Sequence, residues 1–423
     1  MSIYDPLYGR FELSEISQEL TVLPEVRRLS QIRLLNSISP TLATLSELRR
    51  YAHTLGVLHL FNKWKASAGR RYAKNEQDAL EVAIILHDVA TPPFGHLFEY
   101  ILKEATGWDH EAAAVTTLLK SYSPASIAQA IYAGRRPKVL DHIERRGIDL
   151  ELVKAILTKN HRLSGLIMGI VDFDNLDNVW RMAWALGLPC MPSEAGKLAE
   201  SLDVDAAGNL QVSATGEDLL PVWSALRRAV YEILIFDQPT VASQAVLTHC
   251  IRCGLKKSVI SADDWFLNDE SLLAKLSLEP AIKTLVEQQY LGRVPTPVLT
   301  VQAHWRDLPL FKRSRSQIES ELETRLLQLA NVKWWVYVFK ERGSFEKQVH
   351  YSVVGETPTA IGTLSQSLVV SVFTDKPLTR MRRQAANKVV LEFLQDHSVQ
   401  LSDLMRIVED GHDKPSFDPR LSF

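Results

Sequence analysis

Residues 76–100, EQDALEVAIILHDVATPPFGHLFEY, begin as an apolar helix and end it on a polar pair, His87-Asp88. The Pro92-Pro93 dipeptide that follows cannot continue a helix, because proline lacks the amide proton and crowds the preceding turn. The last turn therefore delivers His87 and Asp88 together. By itself a His-Asp dipeptide at a helix end is most often a cap or solvated surface. Here the run Ala83-Ile84-Ile85-Leu86 predicts burial, and a buried imidazole and carboxylate need partners to offset the water they lose. A metal ion is such a partner.

Upstream, apolar residues recur at helical spacing from Pro24 to Trp64. They predict a helix through RRYAHTLGVLHLF (49–61), with Ser46 as its N-cap and Glu47 in the first turn. That helix presents Arg50, His53 and Val57 on one face. Downstream, FGHLFEYILKEA (94–105) reads as another helix, followed by two or three more through Leu166 and by a segment from about Ile170 that holds VDFDNLDN (171–178). Four side chains of metal-ligand type thus fall in three helical segments: His53, the pair His87-Asp88, and Asp174. Two imidazoles and two carboxylates suit manganese, iron, magnesium, nickel or zinc with open coordination positions, unlike the closed thiolate sites of structural zinc. Open positions are what hydrolysis requires, since a bound ion acidifies water and screens charge on a phosphoryl oxygen.

The chain has 423 residues, more than one hydrophobic core usually organises, so a large lobe and a smaller one are expected. Helical patterning resumes from Glu217 to about Gln289 after SLDVDAAGNLQVSA (201–214), which reads as a small hairpin inserted between helices, able to cap a pocket or build an oligomer contact. GRVPTP (292–297) marks the boundary. We divide the chain into a helical catalytic domain at 1–290, with its metal motifs within 46–182, and an α+β lobe at 291–423 serving oligomerisation or effector binding. In that lobe VLTVQAHW, WWVYVFKER, VHYSVVG and LVVSVFTD read as strands, and SQIESELETRLLQLA and LTRMRRQAANKVVLEFLQDH as helices. The fold class is mainly α with a smaller α+β C-terminal lobe.

With 48 basic against 50 acidic residues the net charge is −2, which excludes a general polycation and gives no indication of nucleic-acid binding. Three cysteines, and an N-terminus with no basic-then-apolar leader, point to a reducing cytoplasm. No apolar stretch approaches the roughly 18 residues needed to span a bilayer, so no membrane anchor is expected.

HTLGVLHL (53–60), AIILHDVATPPFGHLFEY (83–100), WDHE (108–111) and IVDFDNLDNVWRMAWALG (170–187) resemble, in order and spacing, the blocks of the His-Asp (HD) superfamily of metal-dependent phosphohydrolases, specifically its dGTPase-type deoxynucleoside triphosphate triphosphohydrolases. The resemblance begins at DPLYG (5–9) and RRLSQIR (27–33), and continues through LRRAVYEILIFDQPT (226–240) to SADDWFLNDESLLAKL (261–276), roughly residues 4 to 290. It implies His53, His87, Asp88 and Asp174 as ligands of a divalent ion, and Arg50, one turn before His53, as a contact to substrate phosphate. His96 and Glu99, three apart on one helix face, are implied as an acid-base pair, with His110 a further histidine near the phosphates. Arg181 is implied as a second contact to substrate phosphate. A nucleotide substrate, a nucleotide effector and a homo-oligomer are implied in turn.

The substrate-reading positions depart from that pattern. Asn175 stands where the family has a basic residue, Asn178 replaces a sugar-packing tyrosine, Met182 an acid, and Leu34 a glutamine, with Gln31 one turn earlier. Ile233 and Asp237 take the places of triphosphate-contacting residues, while Arg227 and Arg228 lie upstream. A site that loses its polar contacts loses discrimination, so the expected reaction, dNTP to deoxynucleoside and triphosphate, stands beside phosphodiesterase or phosphomonoesterase action on another nucleotide. A nucleotide-binding sensor or assembly subunit without turnover is the alternative of another class.

Three weaker signals remain. Cys250-x-x-Cys253 lacks a second pair and reads as two small residues on a helix. FKRSR (311–315) and the face Arg380, Arg382, Arg383 and Lys388 read as solvated surface, or as an anionic effector site or nucleic-acid contact. Trp334-Trp335 reads as core and interface rather than a base-stacking platform.

Overall fold

The computed structural model describes residues 1–119, 138–304, 309–329, 331–342, 347–354, 356–362, 366–400 and 404–409. The chain is mainly helical, with a smaller sheet-containing C-terminal region, as the periodicities indicate. Part of the helical stretch expected before Leu166, residues 120–137, lies outside the described residues, as do Trp305 and Gly355 at the ends of two expected strands. No described helix is long and apolar enough to cross a membrane.

The helices that position the site are α1 (Arg50–Ala66), α2 (Lys74–Leu86), α3 (His96–Thr106) and α4 (Phe173–Ala185). They are followed by α5 (Ala214–Phe236) and α6 (Gln238–Lys256), which carries both Cys250 and Cys253 as free thiols. α1 does not begin at Ser46 as expected. Ser46 closes a separate short helix, Ala43–Ser46, and its hydroxyl accepts the Ser39 amide at 3.1 Å. The start of α1 is set by a backbone bond instead, Arg50 N–H to the Ile32 carbonyl at 3.0 Å, so the chain around Ile32 does the work of a cap.

The hairpin forms from β1 (Asp203–Val204) and β2 (Leu210–Val212), and it does not end there. β2 pairs in parallel with Val349–Val353 of the C-terminal region, Gln211 opposite Ser352 and Val212 opposite Val353. The insertion is stitched to the second lobe of its own chain.

That lobe is built on antiparallel strands β3 (Thr296–His304), β4 (Trp334–Arg342), β5 (Gln366–Thr374) and β6 (Leu404–Glu409), in the spatial order β6-β3-β5-β4. The period-2 alternation of β4 and β5 sorts their side chains. Trp334, Val336, Val338, Leu368, Val370 and Val372 join Ile318 and Leu322 of α7 (Arg315–Leu327) and Val390 and Phe393 of α8 (Arg380–Asp396) in a core of their own. Trp335, Tyr337 and Phe373 on the opposite face pack into the larger helical core. Both faces of the sheet are therefore covered, and the two tryptophans divide between the two cores. Arg380, Arg382 and Lys388 on α8 are exposed.

One acid in this lobe carries a pH signature. Glu323 on α7 accepts the Val336 amide at 3.2 Å, and burial, reinforced by the charge of Glu319, pushes its carboxyl up to about 7. Its folded pKa lies above its unfolded one, so the ionised form opposes folding: the penalty is absent below pH ~4.5 and complete above pH ~7. Glu323→Gln keeps an acceptor and has no proton to lose. We expect it to unfold at higher urea than wild type at pH 8, by about 1–2 kcal/mol, with the difference vanishing near pH 4–5. Equal midpoints at pH 8 would refute the assignment.

Candidate metal centre and active site

α1 buries Arg50, His53 and Val57 along one face, as its spacing predicts. α2 ends at Leu86 and hands His87 and Asp88 to the turn before the prolines. That turn is clamped from two distant segments. Arg28 donates to the carbonyls of Val89 and Thr91 on one side and of Leu267 on the other. Asp269 accepts the amides of Phe94 and Arg33, both at 2.8 Å. Phe94 and Gly95 take φ of 57° and 55°, and a Cβ at Gly95 would press on the Arg50 guanidinium at 2.7 Å, so glycine lets α3 start this close to α1.

His53, His87 and Asp88 bring their ligand atoms to within 4.8 Å of one another. Asp174 joins them from the first turn of α4, its Oδ1 at 2.7 Å from His53 Nε2 and 3.5 Å from His87 Nε2. Asp88 Oδ2 stands 4.0 and 3.9 Å from the same two nitrogens. Ligands of one ion at about 2.1 Å each lie at most about 4.2 Å apart, so these spacings suit a single centre.

The tautomers agree. The Ile84 carbonyl, which can only accept, lies 2.6 Å from His87 Nδ1, so that nitrogen carries the proton and Nε2 presents a lone pair. His87 Nε2 is buried and has no hydrogen-bond partner among the described residues. Asp177 accepts the Nδ1 proton of His53 at 2.7 Å, which directs the His53 Nε2 lone pair toward Asp174. Two lone pairs and two carboxylates thus face one another, an arrangement only a cation relieves. With protons as the available cation, burial would lower His53, but Asp174 and Asp177 outweigh it and lift the ring to about 10. Burial raises Asp88 and Asp174, yet Arg50 beside Asp88 and His53 beside Asp174 hold both carboxyls below the usual range. The donor set fits a divalent ion.

Asp177 was not singled out from the sequence, although it sits three residues after Asp174 on the same helix. Its role shows only through its partner on α1. A Cβ at Gly56 would overlap the Asp177 carboxylate, so glycine there lets α1 and α4 close on it. Arg181 corrects an expectation. It does not line the cavity; its Nε and Nη2 donate to Asp177 at 2.8 and 3.0 Å and its Nη1 to Asp5 at 3.0 Å, all fully buried. Its charge supports the residue that orients His53 rather than meeting a phosphate. Asn175 likewise turns inward, its amide and side chain bonding the helix-capping Asp172.

Arg50 Nη1 lies 2.8 Å from both Asp88 oxygens while the residue lines an adjoining cavity of about 380 Å³. His96 lines the same cavity. Glu99 accepts from His96 Nδ1 at 2.8 Å and from His110 Nδ1 at 2.5 Å, tying the three expected residues into one bridge. Burial alone would raise Glu99, but the two imidazoles lower it below the usual range; burial would lower His110, and Glu99 reverses that. Leu34, Asn178 and Met182 line the cavity, whereas Gln31 bonds Asn268 at the surface and does not.

Among curated proteins no match to this chain is found. The family model of the HD domain matches residues 50–164, the stretch that holds His53, His87, Asp88, His96, Glu99 and His110, so the chain contains an HD domain, the helical unit of metal-dependent phosphohydrolases.

Proposed function

We propose that the protein hydrolyses a nucleotide phosphoester at this centre, with a deoxynucleoside triphosphate as substrate and deoxynucleoside and triphosphate as products. The observation that carries the reading is the convergence of two imidazole lone pairs and two carboxylates beside a cavity lined by Arg50 and by His96, which Glu99 ties to His110. His53, His87, Asp88 and Asp174 hold the divalent ion, of the manganese, iron, magnesium, nickel or zinc class. When bound, that ion acidifies water and screens the phosphoryl oxygens.

The remaining roles belong to this chain's own groups. Arg50 offers positive charge to the scissile phosphate from its place beside Asp88. Glu99 holds the Nδ1 protons of His96 and His110, which leaves Nε2 as the exchanging nitrogen of each ring. His96 moves the proton between attacking water and leaving oxygen, and His110 adds charge near the phosphates. Leu34 and Met182 offer a sugar no polar contact, which favours loose nucleoside selection and keeps a phosphodiesterase or phosphomonoesterase as the second reading.

The test is product analysis with purified protein, manganese, magnesium or iron, a nucleotide panel and bis(p-nitrophenyl) phosphate. Release of triphosphate from a deoxynucleoside triphosphate is the expected result. Monophosphate products would replace it with the second reading, and nucleotide binding without turnover under every metal would make the protein a sensor.

A further inference from the structure

The cavity beside the centre is lined by several cationic side chains. Its described wall includes four cations, Arg50, Arg227, Arg315 and Lys347, and no aspartate or glutamate. The chain as a whole carries slightly more acid than base, so this is not the bias of the composition. Two of the four come from beyond residue 291, Arg315 from the start of α7 and Lys347 from the segment before Val349, and the sheet adds Tyr337, Phe339 and Ser371 to the same wall. The cavity is thus closed by the second lobe, on the sheet face that turns toward the helical core.

The cations are also held in place. The Arg315 guanidinium lies 4.2 Å from the ring of Tyr100, one helical turn beyond His96 on α3, and 5.8 Å from that of Phe339. Arg227 lies 4.1 Å from the ring of Tyr231 on its own helix. Beside them Arg252 of α6 reaches both Glu104 of α3 and Glu319 of α7, fixing the second lobe against the helix of the acid-base pair. A cavity of this size, part aromatic and part cationic, suits an organic anion with several negative groups.

We propose that Arg315 and Lys347, with Arg227, form the distal half of the substrate site, holding negative groups of the substrate beyond the one at Arg50 and the metal ligands. The second lobe is then a specificity element of the active site rather than an oligomerisation or effector module, and it selects polyphosphorylated substrates over those with a single phosphate. The substrate assignment rests on the hydrolase reading above; the anion subsite is measurable without turnover.

The experiment compares binding of inorganic tripolyphosphate and inorganic monophosphate to the full chain by calorimetry, with manganese in excess over the probe. Wild type is expected to bind tripolyphosphate at least about tenfold more tightly, and Arg315→Gln and Lys347→Gln each to lose about tenfold of that preference. Arg315→Lys, which keeps the charge, should retain more of it than Arg315→Gln. Should Arg315→Gln fail to fold once its aromatic contacts are lost, Lys347→Gln decides alone. The proposal is overturned if wild type shows no preference, if Lys347→Gln retains it, or if it disappears instead in Arg382→Gln/Lys388→Gln on the exposed face of α8. Loss of the preference in a protein that turns over no nucleotide would keep the subsite and dismiss the hydrolase reading; triphosphate release with the preference intact in Lys347→Gln would do the reverse.

Discussion

His87→Ala is expected to abolish bound divalent ion and to lower turnover by about a thousandfold or more, a loss of about 4 kcal/mol in barrier terms. The size follows from geometry. His87 Nδ1 is committed to the Ile84 carbonyl, so Nε2 has no hydrogen-bonding role that another residue could share, and alanine leaves a carboxylate-rich pocket without one of its two neutral donors. Metal analysis of the purified variant and kinetics with added manganese would check both halves together. Full activity with wild-type metal content would remove His87 from the centre. A variant that regains metal only at high manganese, with turnover rising in parallel, would support the assignment.

The second large effect is on stability. Arg181 neutralises two buried carboxylates, Asp177 and Asp5, and Arg181→Leu takes the guanidinium from both, leaving Asp177 with His53 alone. Removing one partner from a buried ion pair costs about 3–5 kcal/mol, because the remaining charge has lost its guanidinium without regaining water. Burial alone would raise Asp177, whereas Arg181 and His53 hold it below the usual carboxylate range in the wild type. That lowered pKa contributes stability present above pH ~4 and lost as the pH falls through it. In the variant the sign reverses: without the guanidinium, burial favours the protonated form of Asp177, so the deficit should be largest near pH 8 and shrink toward pH 4. Metal affinity should also fall, by about 10–100-fold, since Asp177 no longer fixes His53. Urea midpoints across that pH range and a manganese titration test both. Wild-type stability together with a raised KM alone would return Arg181 to the substrate, the role its sequence match implied.

The two variants also mark how far the sequence could be read. The gathering of His53, His87, Asp88 and Asp174 is legible in the sequence because each sits in a helical pattern whose spacing aims it inward, and because the proline pair ends α2 at the right residue. His96, Glu99 and His110 were legible through the HD resemblance, and the structure ties them through both oxygens of Glu99. Ser46 is a good capping residue locally, but in the fold it closes an earlier short helix, and the first amide of α1, that of Arg50, is taken by a carbonyl from a different segment. Arg181 departs from the expected phosphate contact for a related reason. An arginine beside a catalytic motif looks like a phosphate ligand until its buried partners are known, and one of them, Asp5, is far away in the chain.

The amino-acid sequence alone determined the helical class, the α+β character of the second lobe, the inserted hairpin and the residue types gathered for a metal, since periodicity and turn chemistry act over a few residues. Tertiary structure alone decided which carboxylate orients His53 from behind, that the hairpin pairs with the second lobe, and that Arg315 and Lys347 share a cavity with Arg50 and His96. These depend on contacts between residues tens to hundreds apart. The interactions there, burial of charge and closure of a sheet face, have no local signature: a carboxylate or an arginine reads the same in sequence whether its counter-charge is bulk water or a residue at the other end of the chain.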